Sequence, residues 1–257
     1  MSAIKLNRRV DGPEGAPWII LSNSLGATLA MWDPQIAFLT QKYRVLRYDS
    51  RGHGGSAVPD GPYSFDQLTG DVIALMDDMN IAKASFMGLS KGGMTGLGLA
   101  LKHPDRFDRI ICADGRADAP AGFRNMWDER IAKVRDGGLE AIAGGTLGSW
   151  MTPDWHEANP EASAKIRDMV TSNSADGYIG CCLALKELDY LKDLGKVTIP
   201  ILYVGGEKDM GASPETMQAM ADATPGGTYI QVPNAAHVAN INRPEAFNAA
   251  IAPFLGL

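Results

Sequence analysis

The chain has little cysteine, no excess of positive charge and no long apolar run, and each shortage excludes something. Its 257 residues contain three cysteines, Cys112, Cys181 and Cys182. An odd set with two adjacent members does not make a stapled secreted framework, so these thiols are expected to be buried small hydrophobes in a reducing compartment. Lys and Arg together number 24 against 30 Asp and Glu, a formal net charge of -6. Nucleic acids and anionic membranes demand clustered cations, and no basic stripe is present, so neither is an expected partner. The longest apolar stretches, such as WIIL at 18–21, fall far short of the roughly 20 residues that cross a bilayer. The opening MSAIKLNRRV also lacks the apolar core of a signal peptide, and a soluble cytoplasmic protein is expected. Motifs for prosthetic groups are missing too. There is no HExxH, no CxxC pair and no GKS or GKT ending to the glycine-rich stretch around Ser90, so neither a metal nor a cofactor is expected.

What is present is enough apolar material, 45% of the residues, to bury a sizeable core. Short branched or apolar runs bounded by turn signals predict strands at 18–21, 43–48, 84–88, 109–113, 200–206 and 228–232. Several are apolar throughout, as strands covered on both faces must be. Between them lie helical patterns. Phe65, Leu68, Val72, Leu75, Met76 and Met79 form one stripe, and Ser213 with Pro214 opens another helix. The alternation predicts an α/β fold with a mostly parallel sheet flanked by helices. It is interrupted once, between about Ala117 and Lys196, where the periodicity is helical and no strand is predicted. The expected organisation is a core of residues 1–116 and 197–257 with a helical cap at 117–196 over the carboxyl edge of the sheet.

The stretch ASFMGLSKGGMTGLGLA at 84–100 contains Gly88-Leu89-Ser90-Lys91-Gly92. A GxSxG pattern is weak by itself. Here it follows a predicted strand and opens a predicted helix, the setting of a nucleophile elbow, where a strained serine is tolerated only between glycines. A serine hydroxyl needs a base, and the base needs a group to orient it. Of four histidines, His237 lies in a loop after the last strand and is the expected base. His53, in DSRGHGGS, is expected to brace loops by hydrogen bonding; His103 ends a helix before proline, and His156 is expected to face solvent. For the orienting acid, Asp209 just past an apolar strand is favoured, with Asp114 at the neighbouring strand end and Glu207 as alternatives. The expected oxyanion donors are the backbone N–H of Lys91, directly after the serine, and of Leu25 in SNSLGATLAMW.

These residues resemble the α/β-hydrolase superfamily and, more closely, the 3-oxoadipate enol-lactonases. The stretches that carry the resemblance are LSNSLGATLAMWDPQ, YRVLRYDSRGHGGSAVPDGPYSFDQLTGDV, FMGLSKGGM, GEKDMGASPE and AAHVANINRPEAFNAAI, nearly the whole chain, with SWMTPDW also similar. The resemblance implies Ser90 as nucleophile, His237 as base, Asp209 as orienter, and Leu25 and Lys91 as oxyanion donors. One departure is Lys91, since the lactonases usually carry methionine after the serine. The implied reaction is opening of a small lactone or ester through an acyl-serine. The alternatives are a general carboxylesterase or a C–C bond hydrolase on the same triad, or a ligand-binding protein that has lost turnover. A carboxylated lactone needs a cation near the site. Candidates are Lys91, Arg116, Arg124 and Lys186, with Trp150 as a wall of the pocket.

Overall fold

The computed structural model describes residues 4–257. Among these residues seven strands form one sheet in the order β1-β3-β2-β4-β5-β6-β7. They are β1 (Arg8–Asp11), β2 (Trp18–Ser22), β3 (Arg44–Tyr48), β4 (Ala84–Leu89), β5 (Phe107–Ala113), β6 (Ile201–Gly206) and β7 (Thr228–Val232). All neighbouring pairs are parallel except β1 with β3. Alternation along each strand splits the core in two. Ile20, Phe86, Ile110 and Tyr203 enter the cluster on one face of the sheet; Leu21, Met87, Ile111 and Val204 enter the other. Six of the strands match the apolar runs of the sequence. Strand β1 does not, because Arg8, Arg9 and Asp11 are charged and only its antiparallel pairing at the sheet edge makes it a strand.

The helices are α1 (Asp33–Leu39), α2 (Phe65–Asp78), α3 (Lys91–Lys102), α4 (Ala121–Gly137), α5 (Glu140–Trp150), α6 (Pro153–Ala158), α7 (Pro160–Thr171), α8 (Ala175–Lys186), α9 (Pro214–Ala223), α10 (Ala239–Asn242) and α11 (Pro244–Leu255). Helix α2 starts at a capping box in which Ser64 accepts from Gln67 N and the Gln67 side chain accepts from Ser64 N. Its stripe is buried from Phe65 to Met76, whereas Met79 is half-buried. Ser213 caps α9 by accepting from Thr216 N. Between β5 and β6 the chain forms α4 to α8, and no strand of the sheet falls there. An antiparallel bridge between Asp118 and Asp189 brings the two ends of this excursion together. No helix among the described residues is long and apolar enough to cross a membrane. All three cysteines are buried and unpaired, and burial pushes each thiol up from its ordinary pKa.

Candidate active site

Ser90 sits between the end of β4 and the first turn of α3 with φ 54° and ψ -117°. A side chain rarely adopts that backbone, and the neighbours hold it there. Ser90 N donates to Ala113 O at 2.8 Å, which ties the turn to the adjacent strand end. A Cβ on Gly88 would lie 2.1 Å from Gly92 O, and one on Gly92 would lie 2.2 Å from Ser22 O. Glycine is therefore required at both positions, and the sharp turn aims Ser90 Oγ away from the sheet.

The turn delivers Ser90 to His237. His237 Nε2 and Ser90 Oγ are 2.9 Å apart, and His237 Nδ1 lies 2.8 Å from Asp209 Oδ2. Asp209 Oδ1 accepts from Gly211 N at 2.7 Å and Ala212 N at 3.1 Å, so both carboxylate oxygens are occupied. Burial alone would push this carboxyl up, but His237 and the two N–H donors hold it below the ordinary carboxylate range. Burial likewise disfavours charge on His237, yet the Asp209 carboxylate and its hydrogen bond raise the imidazole to about 9. The histidine loop is fastened from outside the core. His237 N donates to Ser149 O at 3.3 Å and Val238 N to Trp150 O at 3.0 Å, both carbonyls at the end of α5.

The rival acids are engaged elsewhere. Asp114 is fully buried, and its oxygens accept from Gly206 N at 2.8 Å and Ala239 N at 3.4 Å, with no bond to His237. Glu207 is exposed and accepts from Asn234 N at 2.7 Å.

Ser90, Asp209 and His237 line a cavity of about 540 Å³. That is within the roughly 300–1,000 Å³ usual for small-molecule sites. Leu25 lines it too, and neither the Leu25 nor the Lys91 N–H has an acceptor among the described residues. The far walls come from the helices between β5 and β6. Phe123, Met126, Trp127 and Arg130 of α4, Trp150 of α5 and Tyr178 of α8 face the space.

Of the four cations singled out in the sequence, only Arg116 lines the cavity. Its guanidinium is paired to Asp118 at 3.2 Å and donates to Gly211 O at 3.1 Å. Lys91 turns the other way. Its side chain is buried, and Nζ donates to Ser50 Oγ at 2.7 Å. Burial pushes that ammonium down from its ordinary pKa, opposed by the nearby Asp71 and Asp49 carboxylates. Arg124 is exposed and donates to Ala119 O at 2.6 Å at the start of its own helix, and Lys186 pairs with Asp128. Neither lines the cavity, because each lies on a helix face where a local partner outside the cavity takes the charge.

Two cations of the cavity lining, the exposed Lys208 and the half-buried Arg130, were missed in the sequence, and Arg130 is the more closely held. Its Nε donates to Tyr178 Oη at 2.6 Å and its Nη2 donates to Thr146 Oγ1, while the guanidinium lies over the rings of Trp127 and Tyr178. No carboxylate among the described residues pairs with it. The only signal in the sequence was its place on the apolar side of α4, three residues after Trp127. His156 is half-buried rather than solvent-facing, with ring nitrogens bonded to Ser163 Oγ at 2.8 Å and Leu147 O at 3.1 Å.

Comparison with known proteins agrees with this frame. A model of the alpha/beta hydrolase fold family matches residues 17–244. The 3-oxoadipate enol-lactonase 2 of Acinetobacter baylyi is 40% identical over 248 residues, covering 96% of this chain and 92% of its own. The 3-oxoadipate enol-lactonase 1 of the same organism is 34% identical over 242 residues, covering 94% and 90%. Among solved structures, the enol-lactonase from Burkholderia xenovorans LB400 superposes with a TM-score of 0.94 at 41% identity, covering 99% of this chain and 97% of that one. A thermophilic esterase from Thermogutta terrifontis gives a TM-score of 0.91 at 28% identity, covering 98% and 93%. With the elbow at the end of a central parallel strand and the family match running through most of the chain, the protein belongs to the α/β-hydrolase family.

Proposed function

We propose that the protein is a serine hydrolase that opens a small lactone, of the 3-oxoadipate enol-lactone kind, through an acyl-Ser90 intermediate. The observation that carries this reading is the unbroken chain from Ser90 Oγ through His237 to Asp209, at 2.9 and 2.8 Å, on the floor of a cavity. The two lactonases at 40% and 34% identity support the choice of bond.

In this mechanism Ser90 Oγ attacks the lactone carbonyl as its proton passes to His237 Nε2. Asp209, fixed by Gly211 and Ala212, keeps the Nδ1 proton facing it and stabilises the imidazolium. The tetrahedral oxygen takes the N–H groups of Leu25 and Lys91, which have no acceptor within the described residues. Collapse breaks the ring C–O bond, and His237 returns its proton to the leaving oxygen. For an enol-lactone that oxygen is an enol, which tautomerises to the ketone and makes ring opening effectively irreversible. Water then attacks the acyl-serine with His237 as base, and the diacid product leaves.

A substrate of this kind carries a free carboxylate. Arg130 meets that requirement best, because its present partners are neutral hydroxyls and aromatic faces. Arg116 and Lys208 also line the cavity, but Arg116 is already balanced by Asp118 and Lys208 is exposed to solvent. Residues 117–196 act as the cap that supplies these walls. The test compares turnover of an enol-lactone, p-nitrophenyl acetate and a ring-fission diketone. The highest kcat/KM is expected on the enol-lactone, and activity on the diketone alone would overturn the reading.

A further inference from the structure

The Leu25 donor stands on a turn whose next residue is held on both sides. Ala27 N donates to Ser24 O at 3.2 Å, closing a four-residue turn over Ser24, Leu25, Gly26 and Ala27. Gly26 is its third residue, with φ 81°, the sign a type II turn requires there. The Leu25 N–H belongs to the Ser24–Leu25 peptide, whose Ser24 O is already bonded by Ala27 N, and the turn is completed by the two peptides that follow Leu25. A side chain holds each of them. Gly26 N donates to His53 Nε2 at 3.0 Å, and Gly26 O accepts from Asn173 Nδ2 at 2.9 Å.

Both side chains are themselves anchored. His53 Nδ1 lies 3.1 Å from Arg51 O, an acceptor only. Nδ1 therefore carries the proton, and the Nε2 lone pair is left for Gly26. Burial, aided by the Lys91 charge, pushes His53 down to about 3, which keeps the imidazole neutral. Asn173 follows α7, and its Oδ1 accepts from Gly54 N at 2.8 Å. One amide thus joins the helical segment to two loops of the sheet edge. Neither His53 nor Asn173 lines the cavity.

We propose that His53 and Asn173 are positioning residues of the oxyanion hole, clamping the two peptides that follow Leu25 and so holding in place the turn on which its N–H stands. The proposal rests on the hydrolase reading above. A brace that serves stability alone lowers Tm and leaves turnover intact. A clamp on an oxyanion donor selectively weakens binding of the tetrahedral species, leaving the ground state nearly unchanged.

The experiment uses the full chain with His53→Leu, His53→Gln and Asn173→Asp. It measures kcat and KM on p-nitrophenyl acetate, the inhibition constants of phenylboronic acid and of benzoate, and Tm. Phenylboronic acid forms a tetrahedral adduct on serine, whereas benzoate is a ground-state carboxylate. Removing a whole oxyanion donor costs about 10²–10³ in kcat, so a misaimed one in His53→Leu is expected to cost about 10–100-fold. Boronate affinity falls in parallel, with KM and benzoate affinity changed by less than about threefold, because the loss is confined to the tetrahedral state. Gln can accept from Gly26 N and donate to Arg51 O, so His53→Gln recovers most of the loss. Asn173→Asp keeps the acceptor for Gly54 N, loses the donor to Gly26 O, and is expected to lower kcat about tenfold. Wild-type kcat and boronate affinity in these variants, with only Tm reduced, would overturn the clamp. If His53→Leu does not fold, the two conservative variants decide by the same readouts. Labelling of Ser90 by a fluorophosphonate separates the two claims. Equal labelling rates in wild type and variants overturn the clamp alone, while no labelling of the wild type overturns the hydrolase reading and the clamp with it.

Discussion

The floor of the cavity is made by the ends of strands, and its walls by the helices between β5 and β6. On the floor, Ser90, Asp209 and His237 each follow a strand within a few residues, and backbone geometry aims them. On the walls, Phe123, Trp127, Arg130, Trp150 and Tyr178 project from helices whose packing aims them. In the proposed reaction the floor carries the groups that act on an acyl carbonyl, and the walls carry the shape and charge that choose the acyl group. The two are nevertheless mechanically joined. Carbonyls at the end of α5 hold the histidine loop, and Asn173 holds the turn beside Leu25.

Substitutions on the floor should lower kcat for every substrate. The largest effect is expected from Ser90→Ala, with loss of roughly 10⁴-fold or more in kcat on lactone and neutral ester alike, measured by steady-state kinetics. Next comes Asp209→Asn, expected to lower kcat by about 10³–10⁴ through loss of the tautomer and of imidazolium stabilisation. It also carries a pH signature. The base must be neutral to act, and Asp209 holds His237 up at about 9, so wild-type activity rises with pH toward that value. Removing the carboxylate lowers the imidazole pKa, and the acid limb of the kcat/KM profile moves to lower pH in the variant. An unmoved limb would detach Asp209 from His237.

A wall substitution should separate substrates by charge. Arg130→Gln is expected to raise KM for a carboxylated lactone about 10–100-fold, the worth of a charge-assisted hydrogen bond in a partly buried site. A neutral ester should change by less than about twofold, since its binding does not use the cation. Equal losses on both substrates would break the division between floor and walls. The smallest effect is expected at Lys91, next to the nucleophile in sequence but bonded to Ser50 outside the cavity. Lys91→Met should leave the preference for anionic over neutral substrates within about twofold. Its Tm is expected to fall, because removing the ammonium alone leaves the buried Ser50 Oγ without a partner.

The same division explains what could be read from the sequence. The elbow was legible because steric demands at Gly88 and Gly92 leave a pattern in the chain, and the proximity of His237 to Ser90 because topology dictates the place of the loop after the last strand. Asp209 was favoured over Asp114 by its position alone. The bonds from Gly206 and Ala239 that occupy Asp114 come from elements far apart in sequence, and no local pattern encodes them. Arg130 was not legible, since on α4 it is one charge among many and only packing against α8 turns it towards Tyr178. Lys91 misled for a related reason. A long side chain at a helix start can turn either way, and the hydroxyl that captured it belongs to Ser50, at the end of a different strand. His53 was expected to brace loops, but its partner, Gly26 N, emerged only from the fold.

Whether Ser90 forms an acyl-enzyme is read directly by intact-protein and peptide mass spectrometry after rapid acid quench of the wild type with p-nitrophenyl acetate. The predicted result is an acetyl adduct on the peptide containing Ser90, formed during a burst of p-nitrophenol and absent from Ser90→Ala. Steady hydrolysis without an adduct, or an adduct on another residue with Ser90→Ala still active, would contradict it.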